Sequence, residues 1–443
     1  MSIDDEVLCP EAMDRVMRQR ELTAALLVGP DWPLVEVTSP GGCDAVMGRH
    51  CEHPQQLNLV FTQAPPGLCG CLLGASLMHE LSQRNRLSTV GGLLVYQPHA
   101  PQHDPIARDA NVQIDHRVRR SLVRATFDSP RRQRRLAEAL DAASFDGDLG
   151  AAGVVAALER PGREPAEALP PQVILELSPR RQSRGIFARH PCGPIDRPPL
   201  RLDLAERIFD QLGEAGDVAL TLGGVGDPLL HERFDELVEM ARRAGVRGVH
   251  VRTELLADRS TLDRLLACGV DVVSVDLHAD RAVTYERMMG FDRFREVLLN
   301  IEHLLAGRRR LTPQAGSAAL ALPWIVPRLQ RRAETHEDLD SFFDRWQRVL
   351  GTALIEGPPP FDPTPQDPGD TLIRAVTPPR VARREARRRM TIYCDGSVPV
   401  SELDLAGRDS VGNAAGQPLA QLWRTLMARR QRLSADAHLT CYP

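Results

Sequence analysis

The residues best suited to chemistry are one glycine-rich run and a scatter of thiols and imidazoles. The run reads Leu220-Thr-Leu-Gly-Gly-Val-Gly-Asp-Pro-Leu-Leu-His231. Glycine has no Cβ, so Gly224 and Gly226 permit positive φ and a close approach of other atoms. Asp227 places a carboxylate beside them, and Pro228 suits the first position of a helical turn. A tight βα turn would use the same residues. The thiols and imidazoles are Cys43, His50, Cys51 and His53, with Cys69 and Cys71 further on. Zinc takes such ligands. These spacings match no zinc pattern, so incidental thiols are expected and no metal is assigned.

Composition narrows the chemistry further. All 55 residues counted as Lys plus Arg are Arg, which removes a Schiff-base lysine, a P-loop lysine and a lysine general base. A GC-rich coding sequence accounts for that bias. The formal net charge of -4 gives no overall basicity toward nucleic acid. Arg380–Arg389 is a basic run without interleaved aromatics, read as a solvated helix or loop. The 443 residues, 42% hydrophobic, suffice for two or three domains with cores. Nine scattered cysteines, an acidic N-terminus without an apolar h-region and no apolar run of membrane length predict a cytoplasmic, non-membrane protein with free thiols.

The elements that must position these residues fall into regions. In residues 1–150, Leu22–Val28, Leu57–Phe61 and Gly92–Tyr96 read as strands of an α/β layer. A linker follows over 151–171, proline-dense from Arg160. Residues 172–357 carry a regular βα rhythm. Strands are predicted at Val173–Leu177, Val218–Leu222, Val249–Arg252, Val270–Asp276, Ala318–Ala321 and Ala353–Glu356. Helices are predicted at Leu202–Leu212, Phe234–Ala244, Thr261–Ala267, Phe294–Leu305 and His336–Leu350. Such units imply a parallel sheet with right-handed crossovers, and periodicity alone leaves an open sheet and a partial barrel equally open. Residues 358–389 read as a Pro-rich and then Arg-rich linker, and 390–443 as a small tail unit.

The span 173–357 resembles the radical SAM family. Gly224, Gly226 and Asp227 match that family's GxGEPLL turn, with Asp227 in the Glu position. Thr253 matches its TNG strand end, Ser274 and Asp276 its VSLD-like strand, and Tyr285, Gly290 and Asn300 the next helices. The resemblance implies a partial TIM-type (β/α)6 barrel and places S-adenosylmethionine at Gly224, Gly226, Asp227, Thr253, Ser274 and Asp276. The family's CxxxCxxC loop falls, by spacing, on Arg181, Gly185 and Ala188, and Cys192 stands alone nearby. A [4Fe–4S] cluster needs thiolates, so none is expected here.

Two further pieces resemble the same group of proteins. Thr391–Ser401 resembles the start of a SPASM domain, with Asp395, Gly396 and Val398 in place and Ser401 at the ligand position. Val411-Gly-Asn413, Leu419, Leu422 and Trp423 continue the pattern, and Cys394 and Cys441 are too few for an auxiliary cluster. Gly29-Pro-Asp-Trp-Pro-Leu-Val35 resembles the GDxPL segment of sugar nucleotide cytidylyltransferases, with Asp31 in the metal-holding place. A truncated nucleotidyltransferase-like domain, a barrel and a SPASM-like tail are the order of spiro-SPASM proteins. The resemblance therefore implies a degenerate, cluster-less member, acting as a binding or scaffold protein with a residual S-adenosylmethionine-like pocket. The alternative is an S-adenosylmethionine-dependent enzyme modifying a peptide, sugar or nucleotide. A small molecule or a protein is the expected partner, and no catalytic residue is assigned.

Overall fold

A computed structural model describes residues 10–38, 41–83, 111–143, 150–160, 169–184, 195–311, 322–350, 352–356, 387–402 and 404–440. Two compact units are present, one holding the described residues from 10 to 160 and the other those from 169 to 440.

The first unit contains a four-stranded sheet in the order β1-β3-β2-β4. The strands are β1 (Ala24–Leu27), β2 (Leu59–Thr62), β3 (Cys71–Gly74) and β4 (Asn111–Val112). β3 runs antiparallel to β1 and β2, and β2 runs parallel to β4. The helices are α1 (Pro10–Gln19), α2 (Cys43–Glu52), α3 (Ala75–Gln83), α4 (His116–Arg119), α5 (Pro130–Ala142) and α6 (Gly150–Glu159). The predicted strands at 22–28 and 57–61 appear as β1 and β2, whereas Gly92–Tyr96 lies outside the described residues. β3 is missing from the sequence reading because it is short and apolar on both faces. Leu72 packs into one hydrophobic cluster, and Cys71 and Leu73 into another. The span expected to begin a linker at 151 is helical to Glu159, since Val154, Val155 and Leu158 are buried in this unit's core.

The second unit is built on a seven-stranded sheet in which every neighbouring pair is parallel. In chain order its elements are β5 (Gln172–Leu175), α7 (Leu202–Ala215), β6 (Ala219–Leu222), α8 (Phe234–Arg243), β7 (Gly248–Thr253), α9 (Arg259–Ala267), β8 (Val272–Asp276), α10 (Ala282–Met289), α11 (Phe294–Leu311), β9 (Trp324–Gln330), α12 (Leu339–Leu350), β10 (Leu354–Glu356) and β11 (Arg389–Ile392). The strand order is β10-β9-β8-β7-β6-β5-β11. The protein is thus an α/β fold with a parallel sheet.

Strand alternation sorts the side chains of this sheet. Val173, Leu175, Leu220, Leu222, Val249, Val251, Val273 and Val275 are buried against the helices, in one cluster with Ile208, Phe209, Leu237 and Leu265. Each such burial contributes about 1.5–3 kcal/mol. The opposite face is polar, carrying Gln172, Thr221, His250, Arg252, Ser274, Asp276 and Arg328. The strand predicted at Ala318–Ala321 falls outside the described residues; the strand in that place in the order is Trp324–Gln330. Its Pro327 and Arg328 disguise it, and β10 pairs only with Arg328–Gln330, leaving Pro327 just outside that ladder.

The tail does not begin apart from the sheet. β11 pairs in parallel with β5, and Met390 and Ile392 are fully buried. Beyond it, β12 (Ser397–Pro399) and β13 (Ser410–Asn413) form an antiparallel hairpin, followed by α13 (Leu419–Thr440). The Asp395–Gly396 turn opens the hairpin, with Gly396 at φ 85° and the Asn413 side chain donating to Asp395 O at 2.9 Å.

Candidate functional site

The C-terminal ends of β5 to β9 bring the candidate residues together. The turn after β6 is the first component. Gly224 has φ 139°, a region that favours glycine. A Cβ on Gly226 would meet Ser178 O at 2.2 Å and Arg180 O at 2.4 Å. The Asp227 amide donates to Arg180 O at 2.8 Å. The close approach that the glycines permit is therefore to the chain's own segment after β5.

Asp227 is almost fully buried, and both its carboxylate oxygens are engaged. Oδ1 accepts from the Leu229 amide at 2.9 Å and from Thr253 Oγ1 at 2.9 Å. Oδ2 accepts from the Glu254 amide and lies 2.8 Å from Thr253 Oγ1. Burial, and then the charge of Glu254, push its pKa up to about 6. Asp227 thus ties the β6 turn to the end of β7.

Glu254 is buried beside it. The Ser183 amide donates to it at 3.0 Å and the Ser183 hydroxyl donates to its other oxygen. The Arg181 guanidinium pairs with Glu254 at 2.7 Å and lies 3.8 Å from Asp276. Arg181 therefore folds inward over the strand ends and pins the segment after β5 onto β7.

A ladder of alternating charge crosses the next strands. Asp276 pairs with Arg252 at 3.1 Å and with Arg328 at 2.7 Å, and Arg328 reaches on to Glu356. Burial alone would raise the Asp276 pKa, but Arg252 and Arg328 hold it below the ordinary carboxylate range. One pleat lower, His250 Nε2 lies 2.8 Å from Ser274 Oγ, and Nδ1 lies 3.3 Å from Thr221 Oγ1. Burial, with Arg328 and Arg252 nearby, lowers the His250 pKa to about 4, so the ring is neutral at pH 7.

At the other side of the turn, Glu176 is fully buried and paired two-pronged with Arg197, at 3.0 Å from both Nε and Nη2. Arg197 stacks over the Tyr393 ring at 3.9 Å. The Cys394 thiol donates to Glu176 at 3.1 Å, and its pKa is raised by burial and by that carboxylate. Cys394 is a packing and hydrogen-bonding residue here. Cys441 and Cys192 lie outside the described residues.

The resemblance implies an iron–sulfur cluster and S-adenosylmethionine at this mouth. Arg181 offers iron a paired guanidinium, Gly185 and Ala188 lie outside the described residues, and no group of three His, Cys, Asp or Glu able to hold a metal occurs among the described residues. Arg181 thus places a guanidinium, not a thiolate, at one of the three positions. Arg181, Gly224, Gly226, Asp227, Thr253 and Asp276 line a cavity of about 10 Å³, room for roughly one water.

Of the residues singled out in the sequence, Gly224, Gly226, Asp227, Thr253 and Asp276 share this cavity, and Ser274 lies below it on His250. Tyr285 is fully buried, Gly290 ends α10 at φ 82°, and the Asn300 side chain donates to Leu255 O at 2.8 Å. Asp31 and Ser401 belong to neither the cavity nor the ladder. Sequence reading missed Glu176, Arg252, Glu254 and Arg328. The available signal was charge set inside apolar strands, as in Val249-His-Val-Arg-Thr-Glu-Leu-Leu256.

Residues 187–310, from before α7 into α11, match the model of the Radical SAM superfamily. The matched span contains the glycine turn and begins beyond Arg181 and Gly185. The chain is also similar to an uncharacterized protein of Treponema pallidum (strain Nichols), 29% identical over 226 residues. That alignment covers 50% of this chain and 61% of that protein, less than two thirds of its length. Among solved structures it is similar to SuiB of Streptococcus suis bound to S-adenosylmethionine, with TM-score 0.43, 13% identity and coverage of 58% of this chain and 65% of that one. BtrN in complex with AdoMet and 2-DOIA gives TM-score 0.38 at 13% identity, covering 60% of this chain and 87% of that one. No helix among the described residues is long and apolar enough to cross a membrane.

Proposed function

We propose that this protein is a cluster-less binding or scaffold protein built on a radical SAM-type partial barrel. The observation that carries this reading is the Arg181–Glu254 ion pair. It puts a guanidinium where the family resemblance places a thiolate, and it fills the mouth with the chain's own charges. The polar face of the sheet, with its half-exposed Arg252, is the surface this reading assigns to a small polar ligand or a protein segment. On this reading Gly224, Gly226, Asp227 and Thr253 maintain the turn rather than hold S-adenosylmethionine. The N-terminal unit is a nucleotidyltransferase-like remnant and the tail a SPASM-like remnant in the same account. Iron content and S-adenosylmethionine binding, measured on anaerobically purified protein, test it. Substoichiometric iron and no thermal shift at millimolar S-adenosylmethionine are expected.

A second reading is favoured by the family match over 187–310, which retains the glycine turn. It makes the protein an S-adenosylmethionine-dependent enzyme acting on a peptide, sugar or nucleotide without the usual cluster. A saturable thermal shift with S-adenosylmethionine in iron-free protein would select it.

A further inference from the structure

We propose that Cys43 and Cys69, in the first unit, are a redox dithiol that a peroxide converts to an intramolecular disulfide. Neither is in a disulfide in the structure, and both are buried. The backbone brings them together through one residue. The Glu36 amide donates to Leu68 O at 2.8 Å, and Glu36 O accepts from the Cys43 amide at 2.9 Å. Both side chains belong to the same hydrophobic cluster, whereas Cys71, two residues along, packs into the cluster on the other side of β3. Cys69 precedes β3 and so escapes the strand's alternation, and the shared cluster selects Cys69 over Cys71 as the partner.

The two thiols are also differentiated chemically. Cys43 is the first residue of α2, where the helix dipole favours a thiolate. The neighbouring Cys69 thiol and the Gly70 amide bring its pKa down to about 6 against the effect of burial. Cys69 keeps its proton, since its thiol donates to Gly70 O at 3.4 Å and Cys43 and burial raise its pKa. One sulfur is a nucleophile and the other a protonated resolving thiol.

In the reaction, the Cys43 thiolate attacks one peroxide oxygen, the O–O bond breaks and hydroxide leaves, giving a sulfenic acid; the proton that Cys43 released on ionising turns the hydroxide into water. The Cys69 sulfur then displaces the sulfenic oxygen as a second water, and its S–H proton goes to that oxygen. Two thiols and one peroxide give one disulfide and two waters.

The test uses the full-length chain, treated with hydrogen peroxide and then alkylated under denaturing conditions. Cleavage at Arg and Glu separates Cys43 from Cys51, and both from the peptide that holds Cys69 and Cys71. The expected product is a cross-linked peptide pair lighter by two hydrogens, formed equally well in C71S and in C51S. Alkylation of Cys43 and Cys69 in the peroxide-treated protein overturns the proposal. So does a cross-link that persists in C69S, or one that is lost in C71S.

Discussion

At the scale of single residues, Asp227 and Asp276 show how position decides the state of a carboxylate. Asp227 is raised to about 6 by burial and by Glu254, above the value near 4 of an unfolded chain. Between those values the native state holds more protons than the unfolded one, so this group's contribution to stability falls as pH rises through that window. The loss amounts to about 3 kcal/mol at most. Urea midpoints of Asp227→Asn should lack that slope between about pH 4 and 6 when compared with the unsubstituted chain. Equal slopes in the two proteins would contradict the assignment. Asp276 is the opposite case, since its arginines lower its pKa. Its contribution is present above the unfolded value and is lost as pH falls through the lower folded value. Asp276→Asn leaves Arg252 and Arg328 without their shared counter-charge and should cost about 3–5 kcal/mol by denaturant unfolding. The glycine turn and Asp227 were legible in the sequence because glycine spacing is a local signal. Glu254 and Arg328 were not, because their roles depend on partners distant in sequence, Ser183 lying 71 residues from Glu254 and Asp276 lying 52 residues from Arg328.

At the scale of elements, β11 couples the tail to the sheet. It lies beside β5, and Arg430 on α13 donates to Arg389 O at 2.8 Å and to Val400 O at 2.9 Å. Ile392 is fully buried in the core cluster of the sheet. Ile392→Ala should therefore cost about 2–5 kcal/mol. A change within about 0.5 kcal/mol, as at a surface site, would contradict this packing. The βα periodicity of β5 to β8 was readable because each strand is an apolar run followed by an amphipathic helix. β11 was not assigned to the sheet because no local pattern reveals a parallel partner more than 200 residues earlier in the chain. β3 and β9 escaped for other reasons, β3 being short and apolar on both faces and β9 carrying Pro327 and Arg328.

At the scale of the whole molecule, a parallel α/β unit, matched over 187–310 by the Radical SAM superfamily model, has its strand ends bridged by an internal charge network. In the proposed account, Arg181 takes the space and part of the charge balance that a cofactor would otherwise supply. The most direct measurement is the iron content and visible absorption of protein purified and reconstituted anaerobically, with S-adenosylmethionine binding followed in the same samples. The account predicts iron well below one cluster per chain, no cluster absorption and no response to S-adenosylmethionine. A full cluster's iron in each chain, with absorption that changes when S-adenosylmethionine is added, would contradict it.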